Sequence, residues 1–151
     1  MFGTIPIFSS FKKLKTLWPN PNFLAVIDNL SSGNVENLSR VKKKIQFFKE
    51  DLNSIKKLKN KINEFDHVFH LAGLANVTDS FKNKKKYYKA NVSSTLNLIK
   101  FLKNKKIKNI IYAASASCYG NSTDKLISEK AKISNLSPYA KTKWISEKKL
   151  F

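Results

Sequence analysis

The chain has 151 residues and a formal net charge of +19; 42% of its residues are hydrophobic and 26% are charged. This composition predicts one soluble globular domain with a buried core and argues against an intrinsically disordered chain. No apolar run approaches the roughly 20 residues that cross a bilayer, so no membrane segment is predicted.

The positive charge has two interpretations. Clustered lysines bind phosphate chains and would favour a nucleic-acid partner. Lysine-rich, solvated helix faces explain the same charge, and the lysines are scattered near helix ends and loops. Arg40 is the sole arginine, although proteins that recognise phosphates and bases usually use arginine forks. A nucleic-acid partner is therefore not expected.

Residues 1–22 form the least regular segment. A short helix over Phe8–Trp18 is predicted to end at Pro19. The segment lacks a basic leader before an apolar core, so secretion is not indicated. Cys118 is the single cysteine and cannot form an internal disulfide, which fits a cytoplasmic location.

Four short runs predict strands, and the first of them is continuously apolar, as in a strand that is buried on both faces: Phe23–Ile27, Ile45–Phe48, His67–Ala72 and Ile110–Ala114. Apolar residues at helical spacing, or a proline at a helix start, predict three helices: Asn53–Ile62, Lys84–Lys103 and Pro138–Phe151. The second helix should bury one apolar stripe: Tyr88, Val92, Leu96, Ile99 and Leu102. Asn34–Lys43 is predicted as helix or loop.

The alternation of strands and helices with short connections predicts an α/β fold. Its expected architecture is a three-layer, Rossmann-like, doubly wound parallel sheet. Ligands bind such sheets at the carboxyl ends of the strands. Polar or small residues follow each predicted strand at that edge: Asp28, Asn29, Asp51, Gly73 and Ser115.

Ser115, Tyr139 and Lys143 together predict acid/base chemistry on an alcohol carbon. Tyr139 and Lys143 are four residues apart, so they share one face of a helix. An ammonium beside a phenol favours the phenolate and lowers the tyrosine pKa. Ser115, at a strand end, could share a hydrogen bond with the same substrate hydroxyl.

Each of the other candidates also has a structural explanation. Asp28 could accept hydrogen bonds from an adenosine ribose or could be an ordinary turn residue. Asp51 could lie beside an adenine or cap a helix, and Leu71–Ala75 could approach a ligand or form a tight turn. His67 and His70 alternate along a strand without a visible third ligand, so no metal is expected.

The motifs in this order resemble the extended short-chain dehydrogenase/reductases, specifically NAD-dependent nucleotide-sugar epimerases and dehydratases such as UDP-glucose and UDP-N-acetylglucosamine 4-epimerases. The matching pieces are Val26-Ile27-Asp28-Asn29-Leu30-Ser31-Ser32-Gly33, Asp51-Leu52, Val68-Phe69-His70-Leu71-Ala72-Gly73, Asn91-Val92-x-x-Thr95, Tyr112-Ala113-Ala114-Ser115-Ala116-Ser117-Cys118-Tyr119-Gly120 and Ser137-Pro138-Tyr139-Ala140-x-Thr142-Lys143.

The resemblance implies NAD as cofactor and a UDP-sugar as substrate. It assigns residues on several elements to the cofactor: Asp28, Asn29, Ser32, Asp51, Leu52, Leu71, Ala72, Gly73, Asn91, Tyr139 and Lys143. Ser115, Tyr139 and Lys143 would be catalytic, and Ser115, Ala116, Ser117 and Tyr139 would meet the substrate. Related dehydratases carry an Asp-Glu pair after the strand-end hydroxyl. Ala116 and Ser117 stand there in this chain, which favours an epimerase.

Two departures from the family pattern limit the expected activity. Upstream of Asp28 only Gly3 is present, so the glycine-rich turn that cradles a pyrophosphate is missing. Residues 1–22 would be an eroded or replaced first strand and helix, and 23–151 a partial NAD-binding domain without a substrate domain. Weak or no activity alone is expected, and the alternative is a non-catalytic remnant or basic interaction module. Helices 84–103 and 138–151 could form a homodimer.

Overall fold

The computed structural model describes residues 24–58, 62, 65–121 and 126–151. The expectations for residues 1–22, including the helix over Phe8–Trp18 and the eroded first strand, lie outside these ranges. The chain divides into two compact units, Met1–Leu52 and Asn53–Phe151. None of the helices in the described part combines the length and the apolarity that a bilayer crossing needs.

The first unit contains two parallel strands, β1 (Ala25–Asp28) and β2 (Gln46–Lys49). The segment between them is a 3-10 helix, Val35–Lys44, which resolves the predicted choice between helix and loop. The Asn34 side chain caps it by accepting a hydrogen bond from the Glu36 N–H at 2.9 Å.

A 3-10 helix, Leu52–Leu58, follows β2. The predicted helix over Asn53–Ile62 is present as this 3-10 helix up to Leu58, and Ser54 has non-helical angles inside it. The apolar residues expected to face the core do so, with Ile55, Leu58 and Ile62 exposed by 2%, 0% and 4%. Burial of this stripe does not need regular α-helical hydrogen bonding.

The second unit is built on another parallel pair, β3 (His67–His70) and β4 (Asn109–Tyr112), with His70 opposite Tyr112. All four predicted strands are therefore present, within three residues at each end. A short 3-10 helix, Ala116–Tyr119, follows β4. The α/β class and the parallel pairing are confirmed.

Between β3 and β4 the chain is helical over a longer stretch than predicted. The segments are α1 (Val77–Lys82), α2 (Lys84–Tyr87), a π-helical turn (Tyr88–Ser93, the π segment) and α3 (Ser94–Leu102). The predicted apolar stripe is partly wrong, because Tyr88 is 49% exposed and Tyr87 is buried instead. Tyr87 and Val92 are five residues apart, the spacing of a π turn, and the extra residue shifts the phase of the buried face.

Helix α4 (Pro138–Leu150) agrees with the prediction to within one residue. Pro138 lies in its first turn, where the missing N–H costs nothing. The helix packs against α1, α2, the π segment, α3 and the 3-10 helix after β4. Because α4 carries Tyr139 and Lys143, these contacts place the predicted catalytic side chains.

Candidate active site and cofactor site

Asn91 joins the turn after β3 to helix α4. The residue lies in the π segment and is 2% exposed. Its Oδ1 accepts a hydrogen bond from the Leu74 N–H (2.8 Å), and its Nδ2 donates to the Leu74 carbonyl (3.1 Å) and to Thr142 Oγ1 (2.9 Å). The Asn91 carbonyl also accepts a bond from Ser146 Oγ at 3.1 Å. One buried, fully paired amide therefore fixes the turn against the helix.

The same contact explains the glycine in that turn. Gly73 has φ of +159°, and a Cβ there would lie 2.8 Å from Asn91 Oδ1. Real Cβ atoms do not approach an oxygen so closely, so a larger residue would push the amide away from Leu74. Gly73 is therefore needed for the close approach of backbone and amide.

Two serine hydroxyls fix the start of α4. Ser137 Oγ accepts a hydrogen bond from the Ala140 N–H at 3.0 Å. From α1, the fully buried Ser80 accepts one from the Tyr139 N–H at 3.1 Å and donates to the Val77 carbonyl at 2.5 Å. The backbone of Tyr139 is thus held from outside its own helix. Among the described residues, no partner is bonded to the phenol hydroxyl of Tyr139.

Lys143 follows Tyr139 by one helical turn and is 6% exposed. Its Nζ lies 4.2 Å from the ring centroid of Tyr112, at the end of β4. Burial lowers the pKa of Lys143 to about 8, and the nearby Cys118 and Glu147 act in the opposite direction. Within the described ranges, no hydrogen-bond acceptor is paired with its ammonium, so three N–H donors remain for a ligand.

Ser115 follows β4 with extended backbone angles, φ −152° and ψ 130°, and caps the next 3-10 helix. Its Oγ accepts a hydrogen bond from the Ser117 N–H at 3.3 Å. Ser115, Tyr139 and Lys143 lie on elements that pack together, but no hydrogen bond connects their side chains in the described part of the chain. Ala116 is exposed and Ser117 half-buried, and neither carries an acid or base for neutral pH.

His70, at the end of β3, packs against the ring of Tyr112. It is 2% exposed, and its Nε2 lies 2.7 Å from Thr95 Oγ1. Because the Thr95 hydroxyl donates to the Asn91 carbonyl (2.6 Å), we assign the Nε2 proton to His70. Burial, together with the charge of Lys143, lowers the pKa of His70 to about 4. The described residues contain no group of three potential metal ligands.

In the first unit, the polar residues after β1 and β2 lie close together. Asn29 Nδ2 donates a hydrogen bond to Asp51 Oδ2 at 2.9 Å. Asp28 Oδ1 accepts one from the Leu30 N–H at 2.7 Å. A Cβ on Gly33 would lie 3.4 Å from Asp28 Oδ2, so the turn passes close to the carboxylate without filling the space beside it.

The remaining predicted cofactor residues offer accessible surface. Ser32, Leu71 and Ala72 are exposed, and Leu52 is half-buried. Leu71 is 42% exposed although it follows directly on the buried His70. An apolar side chain at a strand end that stays accessible is available for contact with a ring or a sugar.

Four residues that hold the site together had no predicted role, namely Ser80, Tyr112, Thr142 and Ser146. Thr142 and Ser146 are four apart on α4, and this polar pair on one helix face was the available signal. Ser80 and Tyr112 had no local signal, because their partners on α4 are 59 and 31 residues away in sequence.

Comparison with known proteins gives a consistent family. Residues 19–150 match the family model described as GDP-mannose 4,6 dehydratase. A UDP-glucose 4-epimerase of Dictyostelium discoideum is 32% identical over 124 residues, which cover 78% of this chain and 36% of that protein. The chain thus spans little more than a third of that relative.

Solved structures show the same fold. A UDP-N-acetylglucosamine 4-epimerase from Methanobrevibacter ruminantium M1 is 34% identical with a TM-score of 0.81, over 91% of this chain and 44% of that one. A dTDP-glucose 4,6-dehydratase from Streptomyces venezuelae, solved with NAD, has a TM-score of 0.84 at 21% identity, over 94% of this chain and 45% of that one. The predicted Rossmann-like fold is confirmed.

Proposed function

The chain belongs to the nucleotide-sugar epimerase/dehydratase family, and we propose that it carries the NAD-binding and catalytic residues of a UDP-sugar 4-epimerase. The observation that carries the proposal is the Asn91 junction. The Asn91 amide bonds Leu74, which directly follows the cofactor-assigned residues Leu71–Gly73, and Thr142 on the helix that carries Tyr139 and Lys143. The proposed 4-epimerase activity is that of the relatives described above, of which this chain covers 36% and 44%.

The residues of the first unit fit the adenosine end of NAD. Asp28 Oδ1 accepts a hydrogen bond from the Leu30 N–H. Its Oδ2 lies beside Gly33, at the position that a side chain on residue 33 would approach. A carboxylate oxygen in that position can accept a hydrogen bond from a ribose hydroxyl. Asn29 and Asp51 are held to each other beside it, and Asp51 with Leu52 is assigned to the adenine.

In the second unit, each catalytic side chain has one task. Tyr139 takes the proton of the sugar 4-hydroxyl and later returns it. Lys143, one helical turn after Tyr139, offers its ammonium donors to the cofactor. Ser115 uses its oxygen to accept the Ser117 N–H, which leaves its O–H to donate to the same sugar oxygen. NAD, when bound, supplies the hydride acceptor and donor for the sugar C4 carbon.

The residues after Ser115 favour epimerisation over dehydration. Elimination of water needs an acid and a base beside the sugar, and Ala116 and Ser117 supply neither at neutral pH. Transfer of a hydride away from C4 and back to its other face needs only the proton transfer at the 4-hydroxyl. The relatives with more than 30% identity described above are 4-epimerases, which supports the same choice.

The test is ligand-dependent melting of the full 151-residue chain. Millimolar NAD should raise the melting temperature, because a ligand that binds the folded state stabilises it. Lys143→Met should abolish the shift. Lys141→Met, an exposed lysine on the same helix, should retain it. A wild-type chain whose melting temperature ignores both NAD and UDP-glucose would refute the proposal.

A basic interaction surface is the second candidate function. Exposed lysines lie within six residues of the half-exposed Tyr88 in sequence, on α1, α2 and the π segment: Lys82, Lys84, Lys85, Lys86 and Lys89. Lysines beside an accessible aromatic ring can bind single-stranded nucleic acid. Retention of an oligonucleotide that salt abolishes and NAD leaves unchanged would favour this function.

A homodimer through helices 84–103 and 138–151 is also proposed. Tyr88 on the first of these helices is 49% exposed, an unusual exposure for a large aromatic side chain. Sedimentation of the wild type and of Tyr88→Glu tests it. A dimer that the substitution dissociates is expected, and a monomeric wild type would contradict the proposal.

A further inference from the structure

Tyr112 contacts Lys143 at both ends of the lysine. Its ring centroid lies 4.2 Å from Nζ, and its hydroxyl donates to the Lys143 carbonyl at 3.4 Å. We propose that Tyr112 is a positioning residue, whose ring face holds the Lys143 ammonium in place while leaving its N–H donors to a ligand. The inference deepens the proposed function and, as a statement about catalysis, rests on it.

An aromatic face suits this task better than a carboxylate. A buried ammonium needs a compensating partner. A carboxylate would provide one but would take up one or two N–H donors, whereas a ring attracts the cation through its quadrupole. The titratable groups near Lys143 are Cys118 on the 3-10 helix, His70 on β3, and Glu147 and Tyr139 one helical turn away on α4. Within the described residues, none of them is hydrogen-bonded to the ammonium.

The ring is fixed and uncharged. Burial raises the pKa of Tyr112 to about 12, so the phenol is neutral at physiological pH and the contact is cation–π rather than an ion pair. The His70 ring packs against it with centroids 5.3 Å apart and a tilt of 38°. Thr95 in turn holds His70 by a hydrogen bond of 2.7 Å. Tyr112 is therefore supported from the sheet side.

The experiment varies the electron density of the ring without changing its shape. Tyr112→Phe removes the hydroxyl and keeps the face, and suppressor-tRNA incorporation then places phenylalanines with one, three and five fluorines at position 112. The pKa of Lys143 is followed by NMR of the labelled ammonium groups and assigned with Lys143→Arg. It should fall stepwise with each fluorine, by about one pH unit in total, because a poorer ring favours the neutral amine.

Phe101 offers a matched control in the same unit. Its ring lies 4.9 Å from Lys105 Nζ, a comparable lysine–aromatic contact outside the site. The same fluorinated residues at position 101 should leave the pKa of Lys143 unchanged. A Lys143 pKa that is flat across the series at position 112, or that responds equally to the series at position 101, overturns the inference.

The outcome is separable from that of the proposed function. The lysine pKa is read without NAD, and the melting shift is read with it. If the pKa follows the fluorines but NAD binding fails, Tyr112 still positions Lys143 and the cofactor assignment is wrong. If NAD raises the melting temperature but the pKa is flat, the chain keeps its proposed function and Tyr112 loses its role.

Discussion

The two units hold their candidate site residues in different ways. In the first unit Asn29 and Asp51 are linked by an exposed hydrogen bond of 2.9 Å. In the second unit Ser80, Asn91 and Lys143 are 0%, 2% and 6% exposed, and their partners come from several helices, a strand and a turn. The first unit presents polar groups at its surface, whereas the second builds them into its core.

This difference predicts which substitutions change both stability and ligand binding and which change ligand binding alone. A buried polar group that loses its partner retains the full cost of desolvation, while an exposed one is rehydrated. Substitutions in the core network of the second unit should therefore unfold the protein as well as impair the site. Substitutions in the first unit should affect ligand binding alone.

The largest effect is expected for Asn91→Ala. The change leaves the Leu74 N–H and carbonyl without their partner and removes the link to Thr142. The free energy of unfolding should fall by about 4 kcal/mol, since each unsatisfied buried group costs roughly 1–3 kcal/mol. Urea denaturation measures the loss. A decrease below that of Asn97→Ala, a half-buried asparagine on α3, would show that the junction is dispensable.

The next effect is a pH dependence at His70, whose pKa falls from 6.5 to about 4 on folding. Above pH 6.5 the side chain is neutral in both states and its contribution to stability is complete. As the pH falls from 6.5 to 4, the His70 imidazole is protonated in the unfolded state but stays neutral in the folded state. The free energy of unfolding therefore decreases by about 3 kcal/mol. His70→Gln should flatten this part of the stability profile. His67→Gln, at the other end of β3, should leave it steep.

A smaller loss is expected for Ser80→Ala. The substitution removes the acceptor of the Tyr139 N–H but leaves the Ser137 cap of α4 intact. Thermal unfolding should report a destabilisation of about 1–2 kcal/mol, the usual cost of one buried unpaired donor. Ser80→Thr keeps the hydroxyl and serves as the control. Equal melting of the alanine and serine forms would mean that water replaces the hydroxyl.

The smallest effect on stability should come from Asn29→Ala in the first unit. Its hydrogen bond to Asp51 is exposed, so the free energy of unfolding should change by no more than about 0.5 kcal/mol. The NAD-dependent melting shift should nevertheless decrease. A destabilisation as large as that of Ser80→Ala would remove the contrast between the units.

The accuracy of the sequence-based predictions differs from one element to another. The four strands and α4 were predicted nearly to their ends, because continuous apolar runs and a proline-marked helix start are local signals. The predicted buried face of the helix at 84–103 was wrong at Tyr88, because the spacing of apolar residues does not indicate a π turn. The assigned roles of Ser115, Tyr139 and Lys143 remain predictions for the experiments above.

The sequence by itself determined the α/β class, the residues at the strand ends and the family, since these depend on patterns within a few neighbouring residues. Tertiary structure decided which groups meet. It brought Tyr112 beneath Lys143, Ser80 to the backbone of Tyr139 and Asn91 to Thr142. Those partners are 31, 59 and 51 residues apart, and packing of whole elements, rather than local periodicity, determines contacts at such separations.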